Sequence, residues 1–216
     1  MLFRSHAIAA PAYRPYASEG INSIYNLLFC DDIKAFAPKP GQVAAQWQTL
    51  VFSELADAEA LERLAADPAQ EGRVRFLAYN RLRTMGSSVQ PKVVLAVIVE
   101  VPLAGGLDTL AAFSEGGVRY INQSGKLAVV EDVPTIRPMV QRLFEAAKPV
   151  VARIGAWDKP RLAPPALGNI RLTFLVSDGL YFGQGPMSVM QSEPMAAPVI
   201  RQATELLQAV VAASAK

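Results

Sequence analysis

At 216 residues the chain is long enough to bury a hydrophobic core without disulfides or metal ions. Its net charge of +2 supplies no long-range field toward nucleic acid or an anionic membrane, and we predict neither as a partner. Hydrophobic residues make up 51% of the chain and charged residues only 19%, which favours a surface covered by another subunit and therefore a homo-oligomer.

The cysteine content and the N-terminus indicate the cellular compartment. One cysteine, Cys30, rules out an internal disulfide and is typical of a protein from a reducing compartment. The first residues lack the apolar core of a secretory signal, and no apolar run approaches the ~20 residues that span a bilayer. We therefore expect a cytoplasmic protein.

Residues 1–90 carry apolar side chains at helical spacing, interrupted by loops that contain proline and glycine. Ser18 is suited to cap the first helix, and Asp67 followed by Pro68 is a start signal for the last one. We predict a mostly helical N-terminal region that packs on residues 91–216 as one structural unit. The apolar stripes lie in 21–28, 43–51, 57–64 and 74–85.

The periodicity changes after Pro91. Residues 93–99 form an unbroken apolar run that ends at Glu100, which is typical of a strand covered on both faces. Three further segments with strand character follow, separated by tight-turn signals, so we predict an antiparallel meander. These segments are 107–114, 118–122 and 127–131.

The turns between these strands predict their register. Gly116-Gly117 suits a two-residue hairpin turn, and Ser124-Gly125 suits a second one. With two-residue turns, Phe113 lies opposite Tyr120, and Tyr120 lies opposite Val129.

The last 80 or so residues return to helix and then to strands. Asp178-Gly179 is the strongest short hairpin signal in the chain. The order of elements after the helical region is β-β-β-β-α-β-β-α, which predicts an α+β fold with one antiparallel sheet and two long helices packed on one face. The predicted elements are a helix over 136–154, an irregular segment over 155–168, strands over 170–176 and 180–182, and a helix from Pro198.

The residue types present argue against the common catalytic and cofactor chemistries. One histidine, His6, and one cysteine are too few for a zinc site. A Ser-His or Cys-His mechanism would have to use His6 as its base, which the irregular N-terminal segment disfavours. Cys30 follows an apolar stretch and precedes Asp31 and Asp32, which favours a packed, unreactive thiol. Residues 183–186 lack the third glycine of a dinucleotide-binding motif. We predict no cofactor and no metal.

A group of four arginines falls within one predicted helix. At ~100° per residue their side chains scatter around the helix instead of forming a basic stripe. We interpret this segment as a solvated helix and not as a nucleic-acid site. The residues are Arg73, Arg75, Arg81 and Arg83.

Two carboxylates are the weak candidates for catalysis. Glu100 ends the most buried strand and Asp108 begins the next, so the two could face each other as general acid and base. The alternative is structural: Asp108 caps the turn and Glu100 reaches solvent at the strand end.

The irregular segment supplies the candidate binding residues, because a long proline-rich loop inside a compact domain is often functional. Trp and Arg are also favoured anchors at interfaces. The alternative is that Trp157 covers a sheet edge while Arg161 pairs with Asp158. The candidates are Arg153, Trp157, Asp158, Arg161 and Tyr181.

Two functional hypotheses remain from different classes. The first is a non-catalytic binding or assembly module that self-associates through the proline-rich loop and a sheet edge. The second is a small-molecule-binding enzyme or sensor with a pocket between sheet and helices. That pocket would use Glu100, Asp108 or Tyr181 in place of histidine, cysteine or a metal. The sequence names neither a ligand nor a protein partner, and it favours the first hypothesis.

Overall fold

A computed structural model describes residues 12–214, and the predicted α+β fold is confirmed. Within that range the chain forms seven α-helices and a six-stranded antiparallel sheet. The elements are α1 (Glu19–Leu27), α2 (Gln46–Phe52), α3 (Ala58–Ala66), α4 (Gly72–Thr84), β1 (Val94–Leu103), β2 (Gly106–Phe113), β3 (Val118–Ile121), β4 (Leu127–Val130), α5 (Arg137–Arg153), β5 (Asn169–Val176), β6 (Gly179–Pro186), α6 (Met187–Ser192) and α7 (Ala196–Ser214).

The sheet has helices on both faces. Its strand order is β4-β3-β2-β1-β5-β6, so β1 is central and pairs with β2 and β5. One face, which we call the α5/α7 face, packs residues such as Val97 and Val99 against the two long helices. The opposite face packs Ala96 and Ile98 against α1 to α4, and we call it the N-terminal face. Coverage on both sides explains the continuous apolar run of β1.

The first helix follows its predicted signals, whereas the start of α4 does not. The Ser18 hydroxyl caps α1 by accepting from the backbone N–H of Ile21. Asp67 instead closes a turn after α3, with its carboxylate accepting from the N–H of Ala69. The first N–H of α4 donates to Glu115, which lies in the β2–β3 turn. A capping carboxylate distant in sequence therefore replaces the local one that Asp67 was predicted to supply.

The predicted hairpin register is wrong. Tyr120 lies opposite Leu110 in β2 and Ala128 in β4, and not opposite Phe113 and Val129. The reason is that both turns are longer and begin earlier than expected: the closing backbone hydrogen bonds leave three residues in each turn, 114–116 and 123–125, where two were expected. An odd shift exchanges the two faces of a strand, and Val129 accordingly is 52% exposed.

The arginines of α4 are structural tethers, so the interpretation as a solvated helix is wrong. Arg75 is buried and donates to the carbonyl of Ala65 and to the Ser114 hydroxyl. Arg81 and Arg83 donate to backbone carbonyls in two other loops. The scatter of guanidinium groups around this helix reflects contacts in several directions.

Candidate functional site

Glu100 and Asp108 do not form a pair. The register places Glu100 opposite Thr109 and Asp108 opposite Val101. Because successive strand residues point to opposite faces, the two carboxylates lie on opposite sides of the sheet. The expected acid–base pair is therefore wrong, and each carboxylate has its own surroundings.

Glu100 lies on the N-terminal face and is fully buried, so it does not reach solvent as the structural alternative proposed. Its Oε1 accepts from the hydroxyl of Tyr25 at 2.6 Å, and its Oε2 lies 3.4 Å from a guanidinium nitrogen of Arg171. Desolvation raises the pKa of Glu100, and the Arg171 guanidinium limits that rise. Both oxygens of this carboxylate therefore have partners inside the protein.

Arg161 belongs to the same buried cluster. Its Nε donates to Asp31 at 2.7 Å, and its guanidinium carbon lies 4.0 Å above the ring centre of Phe29. One of its terminal nitrogens donates to Asn26 at 2.8 Å. It therefore pairs with Asp31, and not with Asp158 as the structural alternative proposed.

Arg171 joins this cluster to the proline-rich segment. Residues 154–168, which we call the strap, run from the end of α5 onto the N-terminal face, where Arg161 contacts Asp31 and Phe29. Arg171 donates to the carbonyls of Leu162 and Ala163 in the strap and to the side chain of Gln184 in β6. The strap is thus held by internal contacts at the point where binding residues were predicted.

The other candidate binding residues do not form one site. Trp157 packs edge-to-face on Phe182, with ring centres 4.8 Å apart, which matches the structural alternative of a side chain covering the sheet edge. Tyr181 lies on the opposite face of the sheet, where burial raises its pKa to about 12. Arg153 and Asp158 are exposed.

A cavity of about 200 Å³ opens on the α5/α7 face, between the sheet and helices α6 and α7. We call it the Asp108 pocket. Its walls are mostly aliphatic, and its polar groups come from four side chains. The apolar lining residues are Val99, Val101, Leu110, Ile170, Met187, Ile200, Ala203 and Leu207, and the polar ones are Asp108, Tyr120, Gln191 and Thr204.

Asp108 and Tyr120 form the polar end of the pocket. The Tyr120 hydroxyl donates to Oδ2 of Asp108 at 2.9 Å, and the backbone N–H of Gln123 donates to Oδ1 at 2.6 Å. Desolvation raises the pKa of Tyr120, and its hydrogen bond to Asp108 raises it further. Tyr120 therefore remains protonated at neutral pH, with its proton directed to the carboxylate.

Sequence reasoning singled out Asp108 but missed Tyr120, Tyr25, Asp31 and Arg171 as partners. One signal pointed to Arg171: a charged residue alternating with apolar ones in a strand needs a buried partner if both faces are covered. The Asp108–Tyr120 contact had no such signal, because it depends on the length of the turn between β2 and β3.

Among the described residues, the remaining candidates do not add a reactive centre. Cys30 is buried, and burial raises the pKa of its thiol. His6 lies outside the described residues. Within residues 12–214, no cluster of three or more His, Cys, Asp or Glu side chains is arranged to hold a metal ion. No helix in that range combines the length and the apolar character needed to cross a bilayer.

Comparison of the chain with protein-family models, curated proteins and solved structures gives no match.

Proposed function

We propose that this protein binds a small molecule in the Asp108 pocket. The observation that carries the proposal is a cavity of about 200 Å³ with mostly aliphatic walls and four polar side chains, one of them a carboxylate hydrogen-bonded to Tyr120. Small-molecule sites have this composition: mostly apolar walls and a few polar groups that fix orientation. Since an apolar cavity of ~150 Å³ holds benzene, the pocket has room for one ring with a short substituent.

Binding fits the pocket better than catalysis does. General acid–base chemistry needs groups whose pKa values lie near the working pH and whose positions allow two roles. Tyr120 keeps its proton, and Glu100 lies on the other side of the sheet. We infer a sensor or carrier of a small molecule, in line with the second sequence hypothesis.

A cavity-filling variant tests the proposal. Ala203 lies on α7 with its side chain in the pocket, and Leu at this position would occupy part of the space. We expect Ala203→Leu to keep or raise the melting temperature and to abolish binding of one-ring fragments in ligand-observed NMR. The matched control is Ala212→Leu, the same change at an exposed position of the same helix.

The control should bind fragments as the wild type does. Fragment binding that survives Ala203→Leu, in a variant that unfolds cooperatively, would contradict the proposed function.

Self-association is a second candidate, favoured by a separate observation. Strand β6 is the last strand of the sheet, and Leu167 and Val189 beside it are 68% and 57% exposed. A backbone hydrogen bond from Met187 to Gly168 brings their two segments together. The strap hydrogen-bonds to the backbone of this edge at Leu180, whose carbonyl accepts from the backbone N–H of Trp157. The far end of β6, with exposed apolar side chains beside it, suits pairing with a second copy about a two-fold axis.

Light scattering tests this second candidate. We expect a dimer for the wild type and a monomer for Val189→Lys, because a buried lysine at the contact would lose its hydration. The control is Val129→Lys on β4, at the opposite edge of the sheet. A wild-type monomer at high protein concentration would exclude this candidate.

A further inference from the structure

We propose that the ligand of the Asp108 pocket is a small organic cation, namely a protonated amine on a compact apolar body. This inference rests on the proposed function and deepens it. The first support is charge: among the described residues that line the pocket, Asp108 is the single charged one. A charge beside aliphatic walls favours a ligand that brings the opposite charge.

The second support is the direction of the hydrogen bonds. The Tyr120 hydroxyl donates its proton to Asp108, and the Thr204 hydroxyl donates its proton to the carbonyl of Ile200 at 2.8 Å. Each hydroxyl oxygen keeps lone pairs and has no proton left to give. The carboxylate likewise only accepts. A ligand that donates hydrogen bonds therefore fits these three groups, and the amide of Gln191, which can accept as well as donate, is compatible with such a ligand.

The third support is that the carboxylate is already oriented. The N–H of Gln123 and the hydroxyl of Tyr120 hold one oxygen of Asp108 each, at 2.6 and 2.9 Å. An ionised carboxylate offers about four acceptor sites, so two donors leave room for an ammonium group. A fixed acceptor reduces the entropy that a ligand loses on binding.

A second Asp–Tyr pair lies on the same face of the sheet and allows a comparison of the cations near each pair. The Tyr181 hydroxyl donates to Asp178 at 3.0 Å. There a cation of the chain lies beside the tyrosine: the ammonium of Lys92 is 4.5 Å from the centre of the Tyr181 ring and donates to the carbonyls of Val151 and Ile154. The Asp108–Tyr120 pair lacks a lysine or arginine among the described residues lining its pocket. The amine of a ligand would supply that cation.

Three compounds with one apolar body test the inference. They are 2-phenylethylamine, 2-phenylethanol and 3-phenylpropionate, which carry a cation, a neutral hydroxyl and an anion. We expect calorimetry on the wild-type protein to give the amine about tenfold higher affinity than the alcohol, since hydrogen bonds to charged groups are roughly twice as strong as neutral ones. The acid should bind below detection.

Two matched variants assign the preference to one carboxylate. Asp108→Asn keeps an oxygen to accept from Gln123 and removes the charge, so the amine should fall to the affinity of the alcohol. Asp178→Asn changes the other Asp–Tyr pair and should retain the tenfold preference. A melting curve on each variant shows that it is folded.

The outcomes separate this inference from the function on which it rests. Equal or tighter binding of the alcohol in the wild-type protein, lost in Ala203→Leu, overturns the cation proposal and leaves the pocket function standing. An amine preference that persists in Asp108→Asn overturns the cation proposal in the same way. Failure of all three compounds to bind overturns both.

Discussion

The two faces of the sheet treat a carboxylate in opposite ways. On the N-terminal face, Glu100 is enclosed by Tyr25 from α1 and Arg171 from β5, and the strap lies over them. On the α5/α7 face, Asp108 has two donors from its own hairpin region and a cavity beside it. The comparison teaches that a buried acid whose two partners come from distant elements is closed to a ligand. An acid held on one side only remains available to a ligand.

The largest effect is expected from Glu100→Gln. Glutamine removes the carboxylate partner of the buried Arg171 guanidinium, and breaking a buried ion pair in this way costs about 3–5 kcal/mol. Because glutamine also removes the desolvation cost that raises the pKa of Glu100, we expect a loss at the lower end of this range. Urea denaturation should show the loss as a lower midpoint with an unchanged slope. A loss below ~1 kcal/mol would show that the stability of the N-terminal face does not depend on this ion pair. It would contradict the proposed difference between the two carboxylates.

The next effect is expected from Arg161→Ala. Its partner Asp31 is partly exposed and can regain water, so the loss is smaller, about 1–3 kcal/mol. The Arg161 guanidinium covers Phe29, next to the buried thiol of Cys30, which provides a local measurement. Thiol labelling of Cys30 should accelerate in this variant and stay at the wild-type rate in Arg153→Ala, which changes an exposed arginine. Equal labelling rates in the two variants would contradict the role of Arg161 in covering Phe29 and the neighbouring thiol.

Asp108→Asn is the matched change on the other face, and it should cost less than ~1 kcal/mol. Asp108 is half-buried, and asparagine retains an acceptor for the N–H of Gln123. The measurement is the same urea titration as for Glu100→Gln, carried out side by side. A cost equal to that of Glu100→Gln would mean that Asp108 is structural too, which would remove the distinction between the two faces.

The smallest effect is expected at a carboxylate that belongs to neither face. Hydrogen bonds from the Ala69 N–H and the Gln70 side chain lower the pKa of Asp67 below its ordinary value of 3.8. A lowered pKa in the folded state adds stability above the unfolded-state pKa, and this contribution is lost as the pH falls through the folded-state value. Wild type should therefore exceed Asp67→Asn slightly at pH 7, with the difference vanishing in acid.

Urea midpoints measured from pH 7 down to pH 3 check this prediction. A difference between the two proteins that grows on acidification would have the wrong sign.

The sequence predicted the features of the fold that depend on neighbouring residues. The Ser18 cap, the buried strand before Glu100 and the Asp178-Gly179 hairpin all follow from local chemistry, and the element order follows from periodicity. The short helix α6 was missed because six residues give too little periodicity to detect. The register of β3 was missed because glycine pairs fit turns of two residues and of three.

The candidate site was less predictable because its contacts link distant parts of the chain. Asp108 was identified as a residue, but Tyr120 reaches it only through the three-residue turn that sets the register. Glu100 meets Arg171 because β5 inserts beside β1, and this strand order is not encoded in local spacing. Arg161 finds Asp31 across 130 residues of sequence. The strap therefore resembled a binding loop in the sequence, although its arginine is an internal clamp.

The strap also imposes an order on events during synthesis. Arg161 forms hydrogen bonds with residues that leave the ribosome far earlier. It is separated in sequence by 130 residues from Asp31 and by 148 from Tyr13. At translation rates of ~5–20 residues per second, that interval lasts on the order of ten seconds. During this time the newly made first helix lacks the cation that will cover it. The N-terminal face is therefore completed only after Arg161 has been synthesised.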